Sequence, residues 1–299
     1  MPLSTFWFIF RYPICRCPKE ENMSSIINNK DLVESVNQSS RTTTSGFELQ
    51  ARDYEILRFI LEQKFASLEA IYFRFFDARK LETDPLPKNL WTTRQRLSKL
   101  RMSALIKTEK VLSSGKAHFL LTPFGYKVLT HHVTQLISIK PTKEIDFSLY
   151  EHDSRITMVR ALLEAKKKCG RWYSEKWLKA SPIYIDNKYK FIFSKDIRPD
   201  AVFINSKGER IAFELEMSRK GRRRLEEKIN LYDDLLKSRR RYGEESDGGA
   251  EYKVLDKVWF VTTKPAVHRH LQRAIESSSE KMSYRIDLYE AVVPEVCRV

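Results

Sequence analysis

From about Ala51 the apolar residues recur at a helical period. Tyr54, Leu57, Ile60 and Leu61 alternate with Arg52, Arg58 and Glu62, which predicts an amphipathic helix. Ser67 is placed to cap a second helix carrying Leu68, Ile71 and Phe75. Pro85 and Pro87 break the pattern, and a third helix is expected over 90–101. Its apolar Leu90, Leu97 and Leu100 face inward, leaving Arg94, Arg96, Lys99 and Arg101 to solvent. Short strands over 105–112 and 118–121 flank Ser113-Ser114-Gly115-Lys116. Thr122-Pro123 then supplies a cap and a proline at the first position of a fourth helix through Tyr126 and Leu129. This order predicts a winged helix-turn-helix domain over 47–138. The basic third helix would enter the major groove, and the wing with Lys116 would touch phosphates. Arg94 and Arg96 have the bidentate geometry suited to guanine and phosphate. A winged helix used for dimerisation or protein docking carries the same pattern.

Lys140-Pro141-Thr142 reads as a linker, followed by a second domain over 145–299. A helix is expected over 147–168, then an irregular aromatic stretch over 172–189. Ala201-Val202-Phe203-Ile204 and Arg210-Ile211-Ala212-Phe213 read as paired strands joined by Asn205-Ser206-Lys207-Gly208-Glu209, whose glycine suits a positive φ. A long basic helix over 219–241, a buried strand over 258–262, a helix over 266–277 and a last strand over 285–292 complete the series. Helices mixed with strands in this order predict an α/β layer arrangement on a mixed central sheet.

Before residue 47 the chain is different. Residues 24–46 are rich in Ser, Thr and Asn, so 1–46 is expected to be a disordered arm. Phe6-Trp7-Phe8-Ile9-Phe10 is greasy but far shorter than the roughly 20 residues that span a bilayer. It has neither a basic leader nor a small-residue cleavage site, and no other membrane-inserting segment is seen. The polar stretch after Met23 suggests that translation starts there.

Charge narrows the function classes. Lys and Arg number 54 against 39 acidic residues, a formal net charge of +15, which attracts polyanions and favours double-stranded DNA as partner. Solubility alone is the plainer explanation. Cys15, Cys17, Cys169 and Cys297 are too scattered for a disulfide framework or a zinc site, and predict a cytoplasmic protein.

Acidic groups gathered on so basic a chain point to a hard cation. The hairpin brings Asp200, preceded by Arg198-Pro199, to the same region of a sheet as Glu214. Two such carboxylates can bind Mg²⁺ or Mn²⁺, with water and phosphate completing the shell. Glu216, two residues further along a strand, shares the face of Glu214. A plain reading exists for each: Asp200 as a turn cap, and Glu214 and Glu216 as a solvated strand face paired with arginines. His152 is either a proton acceptor or phosphate contact, or a packed helix-start residue. Tyr232, beside Ile229, Leu235 and Leu236, reads as core rather than as a nucleophile. The run over 219–241 holds ten basic against four acidic residues; it starts beside the carboxylates and includes Arg219, Arg222, Arg223 and Arg224, so phosphate clamping is favoured over a merely solvated face.

Pro199-Asp200 followed by Glu214-x-Glu216 resembles the PD-(D/E)XK nuclease signature. More narrowly, Arg198-Pro199-Asp200, Glu214-Leu215-Glu216, Lys220 and the Lys228…Tyr232 helix resemble the replication-relaxation family, which includes MOBC-type plasmid relaxases. The preceding winged helix and Glu151-His152-Asp153 fit the same resemblance, which covers roughly residues 50–265. It implies an αβββαβ core of restriction-endonuclease type, with Asp200 and Glu214 as metal ligands. It also implies nicking of one DNA strand at a transfer or replication origin of a plasmid or integrative element, alongside other conjugation or mobilisation proteins. The chain departs from the wider pattern at Glu216, where lysine is usual. Lys220 is the nearest replacement and Lys228 the second. An inactive nuclease-like DNA-binding accessory protein, and an unrelated metal-dependent endonuclease of restriction or repair type, are the rival readings.

Overall fold

A computed structural model describes residues 47–76, 90–111, 115–133, 136, 138–180, 183–185, 189–191, 197–218, 222–241 and 251–293. The expected arm and the start at Met23 lie outside them. Helix α1 (Ala51–Gln63) buries Ile56, Leu57, Phe59 and Ile60, as the apolar period requires. Asp53 fixes its start, accepting the Gln50 amide at 2.7 Å as the far half of a capping box does. The helix ends at Lys64, whose φ of 74° turns the chain into β1 (Ala66–Ser67). The Ser67 hydroxyl accepts the Ala70 amide at 3.2 Å and caps α2 (Leu68–Phe75).

Helix α3 (Trp91–Met102) buries Thr93, Leu97 and Leu100. Strands β2 (Ile106–Lys110) and β3 (Ala117–Leu121) pair antiparallel, and β1 adds to the far side of β3. Thr122 accepts the Gly125 amide at 2.9 Å and caps α4 (Pro123–His132). Gly125 is needed there, because a Cβ would sit 2.0 Å from the Leu105 carbonyl oxygen.

Helix α5 (Tyr150–Ala165) ties these elements to the sheet that follows. Tyr150 stacks on Phe65 and its hydroxyl lies 3.2 Å from Nε2 of His118, near the turn end of the hairpin. Near the other end, Arg160 donates to Glu62 at 2.6 Å and to Glu164 at 2.9 Å, while Arg58 reaches Glu62 and Arg74 reaches Glu164. Such a buried network holds only while every charge keeps a partner, which locks α1, α2 and α5 into one register. Residues Leu49–Val299 accordingly form a single compact unit.

Beyond α5 come β4 (Cys169–Ser174), α6 (Glu175–Ala180), and the small hairpin β5 (Ile183–Ile185) and β6 (Tyr189–Phe191). Strands β7 (Ala201–Asn205) and β8 (Arg210–Glu216) precede α7 (Arg222–Lys237). The strand pair β9 (Arg239–Arg241) and β10 (Glu251–Lys253), then β11 (Lys257–Thr262), α8 (Pro265–Glu276), β12 (Tyr284–Leu288) and α9 (Tyr289–Val292) end the series. The central sheet runs β12-β11-β8-β7-β4. It is antiparallel through β4, β7 and β8 and parallel through β8, β11 and β12, so the fold is mixed α+β with a mixed sheet. Helices α7 and α8 cover one face, packing Leu225, Ile229, Tyr232, Val267 and Leu271 onto Val202, Ala212, Val258 and Phe260. Strand alternation puts Phe203, Phe213 and Trp259 on the other face, where their rings meet.

Some expected elements differ. The aromatic stretch expected to be irregular begins inside an edge strand of the sheet, β4, which Gly170 had disguised. The basic helix expected through residue 241 stops at Lys237, and Arg239–Arg241 pair as a strand with Glu251–Lys253. The final strand ends at Leu288 and passes into α9. Among the described residues no helix is long and apolar enough to cross a membrane.

Candidate active site

The hairpin sets the site. Backbone pairing between β7 and β8 runs to Ala201 opposite Phe213, which puts Asp200 opposite Glu214. Asp200 has stepped out of the ladder, and its side chain completes it, with Oδ2 accepting the Leu215 amide at 2.8 Å. Glu214 and Glu216, two residues apart on β8, share the face covered by α7 and are 3% and 2% exposed. The reading of these two as a solvated strand face therefore does not hold.

Helix α7 answers them with one lysine. Lys228 Nζ lies 2.7 Å from both Glu214 Oε2 and Glu216 Oε1. One turn later Tyr232 donates its hydroxyl to Glu214 Oε1 at 2.5 Å. Phe260, paired with Glu214 across β8 and β11, closes the apolar side, its ring centroid 5.8 Å from the ammonium. On the open side His152 Nε2 approaches Asp200 Oδ2 at 3.3 Å, while Nδ1 faces Asp153 at 3.3 Å. Asp153 in turn takes Lys64 Nζ at 2.7 Å, so a charged chain runs from the end of α1 to Asp200.

These contacts set the protonation states. Burial pushes the Glu214 carboxyl up to about 7, against the pull of Lys228 and with the help of the Asp200 charge. For Asp200, burial is outweighed by His152 and the Leu215 amide, which hold it below the ordinary carboxylate range. Burial disfavours the charged imidazolium, yet Asp153 and Asp200 together raise His152 to about 10. His152 is thus protonated at neutral pH and donates to Asp200 rather than accepting a proton. Lys228 stays an ammonium, its desolvation overcome by Glu214 and Glu216. Burial keeps the Tyr232 phenol protonated, which suits it to hold a carboxylate and not to attack phosphorus.

The donor set is made of hard oxygens of the kind Mg²⁺ or Mn²⁺ prefers, and burial, which pushes the Glu214 carboxyl up to about 7, leaves it divided between acid and carboxylate near neutrality. As folded, however, no three His, Cys, Asp or Glu side chains among the described residues converge in a metal-holding group. Lys228 and Tyr232 occupy both Glu214 oxygens. A cation held by Asp200 and Glu214 would have to share the Glu214 oxygens with Lys228 and Tyr232.

The basic residues separate into groups. Arg94 is exposed on α3 and lines, with Arg101 and Lys116, a groove of about 410 Å³ between α3 and the β2–β3 hairpin. Lys99 is exposed on the neighbouring face of α3. Arg96 is engaged inside the fold: its Nε donates to buried Asp53 at 2.7 Å and its terminal nitrogen makes the second bond of the fork. Arg198 is half-buried two residues before Asp200. Arg223 and Arg224 are exposed at the start of α7, Arg223 bridging to Glu227 at 2.9 Å. Arg222 is the first residue of α7, while Arg219 and Lys220 lie outside the described residues.

Tyr232, Asp153 and Lys64 were not predicted as site residues. The four-residue spacing of Lys228 and Tyr232, which puts both on one helix face, was the available signal for the first. No family model, curated protein or solved structure matches the chain.

Proposed function

We propose that the protein is a metal-dependent DNA-nicking protein of a mobile element, relaxase-like in its task. Its α1–α4 segment would act as a winged helix that selects an origin-type site, and the sheet would act as a PD-(D/E)XK-like nuclease core. The observation that carries this reading is Lys228, whose ammonium reaches Glu214 and Glu216 from α7. Glu216 stands where that nuclease pattern has lysine, and a lysine from the next helix fills the same space. The order α5, β4, β7, β8, α7, β11 on one mixed sheet also supports the reading.

Asp200 and Glu214 would hold Mg²⁺ or Mn²⁺, with Glu216 assisting. Once bound, such a cation polarises the scissile phosphate and lowers the pKa of a bound water. His152 and the Leu215 amide fix the direction of Asp200, and Tyr232 fixes Glu214. Lys228 offers its ammonium to the charge that develops on the phosphate oxygens. Arg94, Arg101 and Lys116 grip duplex, and Arg223 and Arg224 meet the backbone beside the site.

A second reading has its own observation. Lys228 bridging Glu214 and Glu216 can serve as a permanent internal cation, leaving a DNA-binding protein that does not cut. A supercoiled plasmid carrying the element's own origin separates the readings. Mg²⁺-dependent nicking, abolished by Asp200→Ala, is the expected result. Tight origin binding without any nicking establishes the second reading, and cleavage indifferent to the origin points to a general endonuclease.

A further inference from the structure

Beside the carboxylates the surface opens into a cavity of about 470 Å³. His152 and Glu216, both already part of the site, form one wall of it, and Phe147, Leu149 and Met217 supply apolar surface. Phe147 is 64% exposed and Leu149 45% exposed, although both directly precede a helix that buries most of its own apolar residues. Exposure of most of an aromatic ring forgoes burial free energy.

The turn under Phe147 holds the ring out. The Asp146 carboxylate accepts the Ser148 amide at 2.9 Å and its hydroxyl at 2.7 Å, and the Leu149 amide closes on the Asp146 carbonyl at 3.1 Å. Ser148, Ser218 and Glu151 add polar groups at the cavity rim.

We propose that this cavity receives one unpaired nucleobase of the DNA strand whose phosphate lies at Asp200, Glu214 and Glu216, with the base stacked on Phe147. The proposal rests on the nucleic-acid reading above and names the form of the substrate: a strand locally opened at the nick. Continuity with the site selects this occupant, because His152 and Glu216 line the cavity and also belong to the carboxylate site. A base matches both its characters, an apolar face for Phe147 and Leu149 and a hydrogen-bonding edge for the Ser148 and Ser218 hydroxyls and the Glu151 carboxylate. The space suits a nucleotide, falling in the range of about 300–1,000 Å³ typical of small-molecule sites. The net charge of +15 brings the strand to the surface without choosing which part of it enters.

The test uses the full chain in EDTA, so that cleavage plays no part, with a fluorescein-labelled 20-nucleotide single strand of mixed sequence and the duplex of the same sequence. Phe147→Ala is expected to weaken single-strand binding about tenfold, the usual value of one base-stacking contact. Duplex binding should be unchanged, and Phe147→Trp should restore the single strand. Phe147→Ala binding the single strand as wild type does, with duplex binding intact, overturns the base pocket alone. Wild-type protein binding neither DNA overturns the nucleic-acid reading beneath it. A wild-type dimer in sedimentation that Phe147→Ala dissolves assigns the cavity to a second copy of the chain and also overturns the proposal.

Discussion

Glu214 combines a place among the buried carboxylates of the candidate site with a folding cost. Its carboxyl, ordinarily near 4.5, is pushed up to about 7 by burial. Between those values the folded protein keeps a proton that the unfolded chain has lost. Folding is therefore disfavoured progressively as pH rises from about 4.5, and the full cost stands above about 7. Glu214→Gln mimics the protonated form, so it should raise the melting temperature at pH 8 and leave it nearly unchanged at pH 5. An equal shift at both pH values would show that the Glu214 charge carries no cost. Binding of Mn²⁺ to the site should strengthen over the same window as Glu214 ionises. Tyr232→Phe removes the hydroxyl on Glu214 and leaves a buried carboxylate oxygen without its donor, at a cost of about 1–3 kcal/mol in denaturant unfolding. If Tyr232 were core alone, the fully buried ring would lose almost nothing on becoming Phe.

Elements show how much the residue pattern discloses. Ser67 and Thr122 cap the helices they were expected to cap, and Leu97 and Leu100 are buried on α3, because caps and periodicity act within a few residues. Strand β4 was missed because Gly170 interrupts it and its place at the edge beside β7 depends on pairing with residues about thirty positions away. The same limit explains the choice between lysines. Lys220 is nearer in sequence to Glu214 and lies outside the described residues; it is the packing of α7 on the sheet that brings Lys228 to β8, and that belongs to tertiary structure. Arg96 is a parallel case. Its place on a basic helix suggested DNA, and Asp53, fully buried on α1, takes it. Arg96→Ala should cost about 3 kcal/mol of stability, since it leaves a buried carboxylate uncompensated. Lys99→Ala, on an exposed position of the same helix, should leave stability unchanged. Equal melting temperatures for the two variants would assign Arg96 to the surface after all.

Across the whole molecule, a sheet with a buried acidic site is joined through the Arg160 network to a helical half that presents Arg94, Arg101 and Lys116. Under the proposed function, this arrangement would hold duplex and the acidic site in one fixed geometry, with Lys228 at the centre of the site. Plasmid nicking by Lys228→Met and Lys220→Met, compared with wild type in Mg²⁺ on a supercoiled origin plasmid, tests that point most directly. Lys228→Met should slow nicking by about 10²–10³, the usual effect of removing one preorganised charge-stabilising donor, with origin binding retained. Lys220→Met should stay within a few-fold of wild type. Nicking by Lys228→Met at the wild-type rate, or wild-type protein that grips the origin and never cuts it, would contradict the account.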